Sequence, residues 1–71
     1  MSERKDIEIS FANGVFESMT NRTIQEFNGL VSSLAYAKEQ DTFCEHRFTN
    51  DSGQEEILHI NPDNVLYVKY R

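Results

Sequence analysis

The side chains best suited to chemistry in this sequence are its one cysteine and two histidines, Cys44, His46 and His59. Cys44 and His46 stand two apart in the run Thr42–Thr49, TFCEHRFT, so in a strand they share a face. His59 lies in the run Gln54–Ile60, and the intervening Asn50-Asp51-Ser52-Gly53 reads as a turn that folds the two runs into a hairpin. If that four-residue turn sets the register, Thr49 pairs with Gln54, Arg47 with Glu56, His46 with Ile57, and Cys44 with His59. Cross-strand separations of roughly 5 to 8 Å would then let a thiolate and two imidazoles hold zinc or copper, or set a cysteine nucleophile beside a histidine base. The arrangement hangs on one residue, since a slip in the turn moves one strand's set to the other face. No fourth ligand stands nearby in the sequence, and the plainer reading makes Cys44 a small apolar side chain on a semi-exposed stripe. The expectation is therefore no metal, no cofactor and no catalysis.

The second set is acidic: Glu3, Asp6, Glu8, Glu17, Glu39, Asp41, Glu45, Asp51, Glu55, Glu56 and Asp63, in a chain of net charge −5. Carboxylates arrayed on one surface can imitate the phosphates of a duplex, which would suit an acidic inhibitor of a nucleic-acid-handling protein, such as a phage encodes against a host nuclease. Arg4, Lys5, Arg47 and Lys69 interrupt the acids, so a solvated surface is the simpler meaning. No two carboxylates are forced into different environments, as a general acid and base would need. Arg4-Lys5, with Lys69 and Arg71, are too few for direct nucleic-acid binding.

The elements that must position these groups are short. Seventy-one residues make a single domain, 1–71, with 1–5 expected to fray, and a chain this small buries only about 60% of its unfolded surface. Ile7, Ile9 and Phe11 alternate with polar neighbours as in a half-buried strand, and Asn13-Gly14 marks a two-residue hairpin pairing Ala12 with Val15, Phe11 with Phe16 and Ser10 with Glu17. Thr23–Lys38 has a helical period: Ile24, Phe27, Val31 and Leu34, widened by Leu30 and Ala35, form the apolar stripe. Gln25, Asn28, Ser32, Tyr36 and Glu39 face water, and Thr23 with Glu26 forms a capping box. Gly29 is expected where the helix comes closest to the sheet. After Asn61-Pro62-Asp63-Asn64, the run Val65–Arg71 is a last strand with Leu66, Val68 and Tyr70 on one face and Val65, Tyr67 and Lys69 on the other, as in a central strand or one that meets a partner. The fold class is α+β: a single helix on one face of a mainly antiparallel four- to five-stranded sheet, in the order ββαβββ.

Such a sheet leaves one face uncovered, and Val15, Met19, Phe48, Ile57, Val65 and Tyr67 are the candidates to line it. The closing INPDNVLYV resembles segments of small bacterial and phage proteins, but it is a turn and a strand rather than a functional signature. The function expected is a small non-enzymatic module acting by protein–protein contact, as a homodimer or docked on another protein, with Val15, Phe48, Ile57, Val65 and Tyr67 as contact residues. A lone cysteine, no membrane-length apolar run and no signal-peptide pattern suggest the cytoplasm and no membrane partner.

Overall fold

The computed structural model describes residues 3–71; Met1 and Ser2, part of the segment expected to fray, lie outside the described residues. Among the described residues the elements are β1 (Arg4–Phe11), β2 (Phe16–Thr23), α1 (Ile24–Glu39), β3 (Cys44–Thr49), β4 (Glu55–Ile60), a 3₁₀ turn (Pro62–Asn64) and β5 (Val65–Tyr70). This is the expected α+β order, ββαβββ, with the helix packed on antiparallel strands. The strands divide between a three-stranded sheet, β2-β1-β5, and a two-stranded ribbon, β3-β4. Arg4 and Lys5 are not frayed: they pair with Thr23 and Arg22. β5 is an edge strand and β1 the central one.

Both hairpins turn through three-residue loops closed by a left-handed glycine. In the first, the Phe11 N–H donates to the Val15 carbonyl (2.9 Å) and the Gly14 N–H to the Phe11 carbonyl (3.0 Å). In the second, the Asn50 N–H donates to the Gln54 carbonyl (2.8 Å) and the Gly53 N–H to the Asn50 carbonyl (3.0 Å). Gly14 and Gly53 sit at φ +85 and +82, while Asn13 stays outside the left-handed region that a type I′ turn would require of it. The side chains of Asn13 and Asn50 instead accept from backbone N–H groups of their own loops.

Each loop therefore shifts its register by one residue from the expected one. Ser10 faces Phe16, Ile9 faces Glu17 and Ile7 faces Met19, so the expected inward pair of Phe11 with Phe16 does not form. Met19 enters the core, while Phe16 moves to the opposite face and is 59% exposed.

The helix begins with the expected capping box: Thr23 Oγ1 accepts from the Glu26 N–H (3.2 Å), and Glu26 Oε1 accepts from the Thr23 N–H (3.4 Å). It ends without glycine. Asp41 takes the left-handed position (φ 54), the Asp41 N–H donates to the Lys38 carbonyl (3.2 Å) and the Thr42 N–H to the Ala37 carbonyl (2.9 Å), so the last turn keeps its acceptors satisfied. The buried stripe is Phe27, Leu30, Leu34 and Ala37, turned from the expected one, and Ile24 (42%) and Val31 (41%) lie on its flank. Gly29 faces solvent; a Cβ built there meets nothing within 4 Å, so the close approach expected at that point is absent.

The core unites Ile7, Ile9, Met19, Leu30, Ala37, Cys44 and Ile60. Tyr70 closes one end, stacked on Phe27 at 5.4 Å, its hydroxyl donating to the carbonyls of Arg22 (2.8 Å) and Glu3 (3.2 Å). Arg22 joins the two sheets: its guanidinium donates to the Thr49 carbonyl, reaches Glu26 (3.5 Å) and lies over the Phe48 ring (5.3 Å). A bulge where Ser10 gives way to Phe11 sets Val65 opposite Phe11. Val65, Val68 and Tyr70 then pack against the core and Leu66 is left 66% exposed, which corrects the faces expected for this strand.

Candidate functional site

The three-residue loop at Asp51-Ser52-Gly53 separates the candidate thiol–imidazole group. Cys44 pairs with Ile60, Glu45 with His59, and His46 with Leu58. Because successive side chains of a strand alternate in direction, Cys44 and His46 share a face with Leu58 and Ile60, whereas His59 lies on the other face beside Glu45. His59 Nε2 is 3.3 Å from Glu45 Oε1. Cys44 is buried in the core at 3% exposure, and burial pushes its thiol above the ordinary range, disfavouring the thiolate that attack or metal binding would use. His46 stacks on Phe48 at 5.7 Å; burial first, and then the Arg22 charge, pull its imidazole below its ordinary value. Among the described residues no three His, Cys, Asp or Glu side chains converge as metal ligands would.

The five expected contact residues do not form one surface. Phe48 and Val65 pack against the core, and Met19 is buried. Val15 stands exposed beside the first loop, and Ile57 is exposed on the outer face of the β3-β4 ribbon, opposite Arg47. Tyr67 alone lies on the uncovered face of the three-stranded sheet, paired with Ser10.

That face is built instead by two rows that cross all three strands: Phe16, Ser10 and Tyr67 in one, and Ser18, Glu8 and Lys69 in the next. The Tyr67 hydroxyl donates to Glu8 Oε2 (3.0 Å), Arg71 Nη2 donates to Glu8 Oε1 (2.8 Å), and the Lys69 ammonium lies 4.6 Å from the Tyr67 ring centre. The Tyr67 hydrogen bond, followed by Arg71 and Lys69, holds the Glu8 carboxyl below the usual carboxylate range. The polar half of the face is thus internally compensated, and Phe16 stands uncovered at its other side. Sequence alternation missed Phe16 because a two-residue loop would have turned it inward. The Glu8–Arg71 pair was out of reach for a different reason: it depends on β1 and β5 being neighbours.

Three of the acids elsewhere, Glu3, Glu45 and Glu55, are paired in a similar way. Arg47 lies between Glu45 (3.5 Å) and Glu55 (3.6 Å), and Lys5 is 3.4 Å from Glu3. Glu45 is held below the usual carboxylate range by its hydrogen bond with His59 and then by Arg47. The hollow beside Cys44, of about 380 Å³, is lined by Ser32, Ser33, Tyr36, Ala37, Thr42, Phe43 and Glu45 and brings no histidine to the thiol. No helix among the described residues is long and apolar enough to cross a membrane.

No protein-family model matches the chain, and no curated protein or solved structure is significantly similar to it.

Proposed function

We propose that the chain is a small non-enzymatic module that works by protein–protein contact, docking or self-associating through the uncovered face of its three-stranded sheet. The observation that carries this reading is Phe16, 59% exposed in a row with Tyr67 on the face opposite the helix. Withdrawing an aromatic side chain of that kind from water contributes about 1.5–3 kcal/mol, and aromatic residues are the usual anchors of contact surfaces. Against catalysis stand the burial of Cys44 and the separation of His59 from it. The ion pairs of Glu3, Glu8, Glu45 and Glu55 break up the negative surface, which favours a contact module over an acidic mimic of nucleic acid. A single buried cysteine suits the cytoplasm or another reducing compartment.

The test compares the wild type with Phe16→Ser. Light scattering from about 10 μM to about 1 mM measures self-association, and affinity capture from the source cell measures docking. The substitution should weaken a contact made through this face by about tenfold or more while leaving the fold intact, because the ring is largely outside the core. Contact of unchanged strength in Phe16→Ser would sink the reading.

A further inference from the structure

We infer that β5 pairs antiparallel with β5 of a second copy of this chain about a two-fold axis at Val68, making one continuous sheet of twice the three strands seen here. This deepens the contact-module reading and rests on it, naming the partner as the chain itself and the contact as a strand edge.

The backbone sets the geometry. Asp6 and Arg71 exchange N–H···O bonds, 2.8 Å each way. Groups in an antiparallel ladder alternate in direction, so Glu8 with Lys69 and Ser10 with Tyr67 also bond each other, and the N–H and C=O of Val68 and Tyr70 point away from β1. No strand among the described residues pairs with β5 on that side. The other edge of the sheet is not equivalent. Along β2, the Arg22 guanidinium donates to the Thr49 carbonyl and the Thr20 hydroxyl donates to Asp51 (2.8 Å), tying that edge to the β3-β4 hairpin. The β1-β2 register also shifts between Lys5 and Ile7, where Asn21 is left-handed (φ 59), which bends the edge further from a flat template.

Charge and side-chain pairing select a second copy as the occupant. β5 carries one charged residue, Lys69. A lysine that protects an edge projects its charge from it, whereas this ammonium rests 4.6 Å from the Tyr67 ring centre, next to the Glu8–Arg71 pair. With Glu8 and Arg71 paired, the edge carries a single positive charge although the whole chain carries −5, and repulsion between the more distant charges is screened beyond about 8 Å at physiological salt. Pairing about Val68 places Tyr67 opposite Lys69 of the second copy, and Lys69 opposite its Tyr67, so each ammonium gains a second aromatic neighbour. Leu66, exposed in one copy, comes opposite Tyr70 of the other. No residue of the strand meets its own charge directly across the axis, and the core of each copy is left as it is.

The test uses the complete 71-residue chain and a chemically synthesised version bearing an N-methyl group on Val68, whose N–H is not used within one copy. Sedimentation equilibrium and amide hydrogen exchange are measured from about 10 μM to about 1 mM. The wild type should become a dimer, with the Val68 and Tyr70 amides slowing at least about tenfold while the outward Ser18 amide on β2 does not. The N-methylated chain should keep its circular dichroism and remain a monomer, and Leu66→Lys should weaken the dimer. A wild type that stays monomeric, or a dimer in which Val68 and Tyr70 exchange as fast as in dilute solution, overturns the inference. The exchange measurement on the wild type decides the matter even if the N-methylated chain fails to fold. A monomeric wild type that captures a partner lost in Phe16→Ser overturns the edge pairing alone. A dimer abolished by N-methylation and untouched by Phe16→Ser supports the edge and removes the sheet face.

Discussion

Replacing each glycine by alanine isolates what backbone conformation contributes to this fold, because the space around all three is the same. A Cβ built at Gly14, Gly29 or Gly53 meets nothing within 4 Å. Any difference between the three variants must then come from φ. Gly29 lies inside α1 with ordinary helical geometry, where alanine is favoured over glycine by about 1 kcal/mol, through helix propensity and the lower entropy of the unfolded chain. Gly14 and Gly53 sit at φ +85 and +82, where a Cβ costs about 1–2 kcal/mol. Unfolding entropy of about 2.1 cal/mol/K per residue gives about 0.15 kcal/mol/K for 71 residues, so 1 kcal/mol moves Tm by about 7 °C. Gly29→Ala should therefore melt about 7 °C above the wild type, and Gly14→Ala and Gly53→Ala about 7–13 °C below it. Thermal circular dichroism at one fixed low concentration, checked by urea midpoints, reads all three without interference from association. A Gly29→Ala protein melting at or below the wild type would show that the helix is pressed against something at that point. A Gly14→Ala protein matching the wild type would show that the first loop is not the left-handed one.

Stability should fall in acid, with the sign set by groups whose folded pKa lies below the unfolded one. Glu8 and Glu45 are lowered from 4.5, so their contribution is present above that value and is lost as pH falls through the folded value; Glu8→Gln should flatten the lower part of a Tm-against-pH curve, and an unchanged curve would refute it. His46 is lowered from 6.5, so the unfolded chain takes up its proton first and stability should begin to drop below about pH 6.5, and His46→Gln should remove that step. Cys44, buried with its thiol pushed up, should resist a disulfide reagent in the native protein and react in urea, with zinc and chelator leaving the melting curve in place; rapid native labelling, or a zinc-dependent melt, would restore the metal and nucleophile readings.

Local features of the fold were legible because they depend on neighbours in the chain. The capping box at Thr23 and Glu26, the breaks at Asn13-Gly14 and Pro62, and the order ββαβββ follow from residue type and spacing. Register was not legible in the same way. A loop of three residues ends in the same glycine as the two-residue loop expected at Asn13-Gly14 and the four-residue turn expected at Asn50–Gly53, and a single residue's difference exchanges the faces of a whole strand. That exchange buried Met19, exposed Phe16 and set His59 apart from Cys44. The helix posed a similar choice between two stripes that share Phe27, Leu30 and Leu34, the expected one completed by Ile24, Val31 and Ala35, the observed one by Ala37.

The sequence alone, then, determines that this is a small acidic α+β chain with one capped helix and short antiparallel strands, since propensity, periodicity and turn chemistry act over a few residues. Tertiary structure decides which side of each element is inside. The docking of α1 across β1 and against β3 chose Leu30 and Ala37 for the core and left Gly29 in water. The placement of β5 beside β1 brought Tyr67, Lys69 and Arg71 to Glu8. Both are contacts between distant parts of the chain, and burial of the shared core is the physical reason they override any local preference.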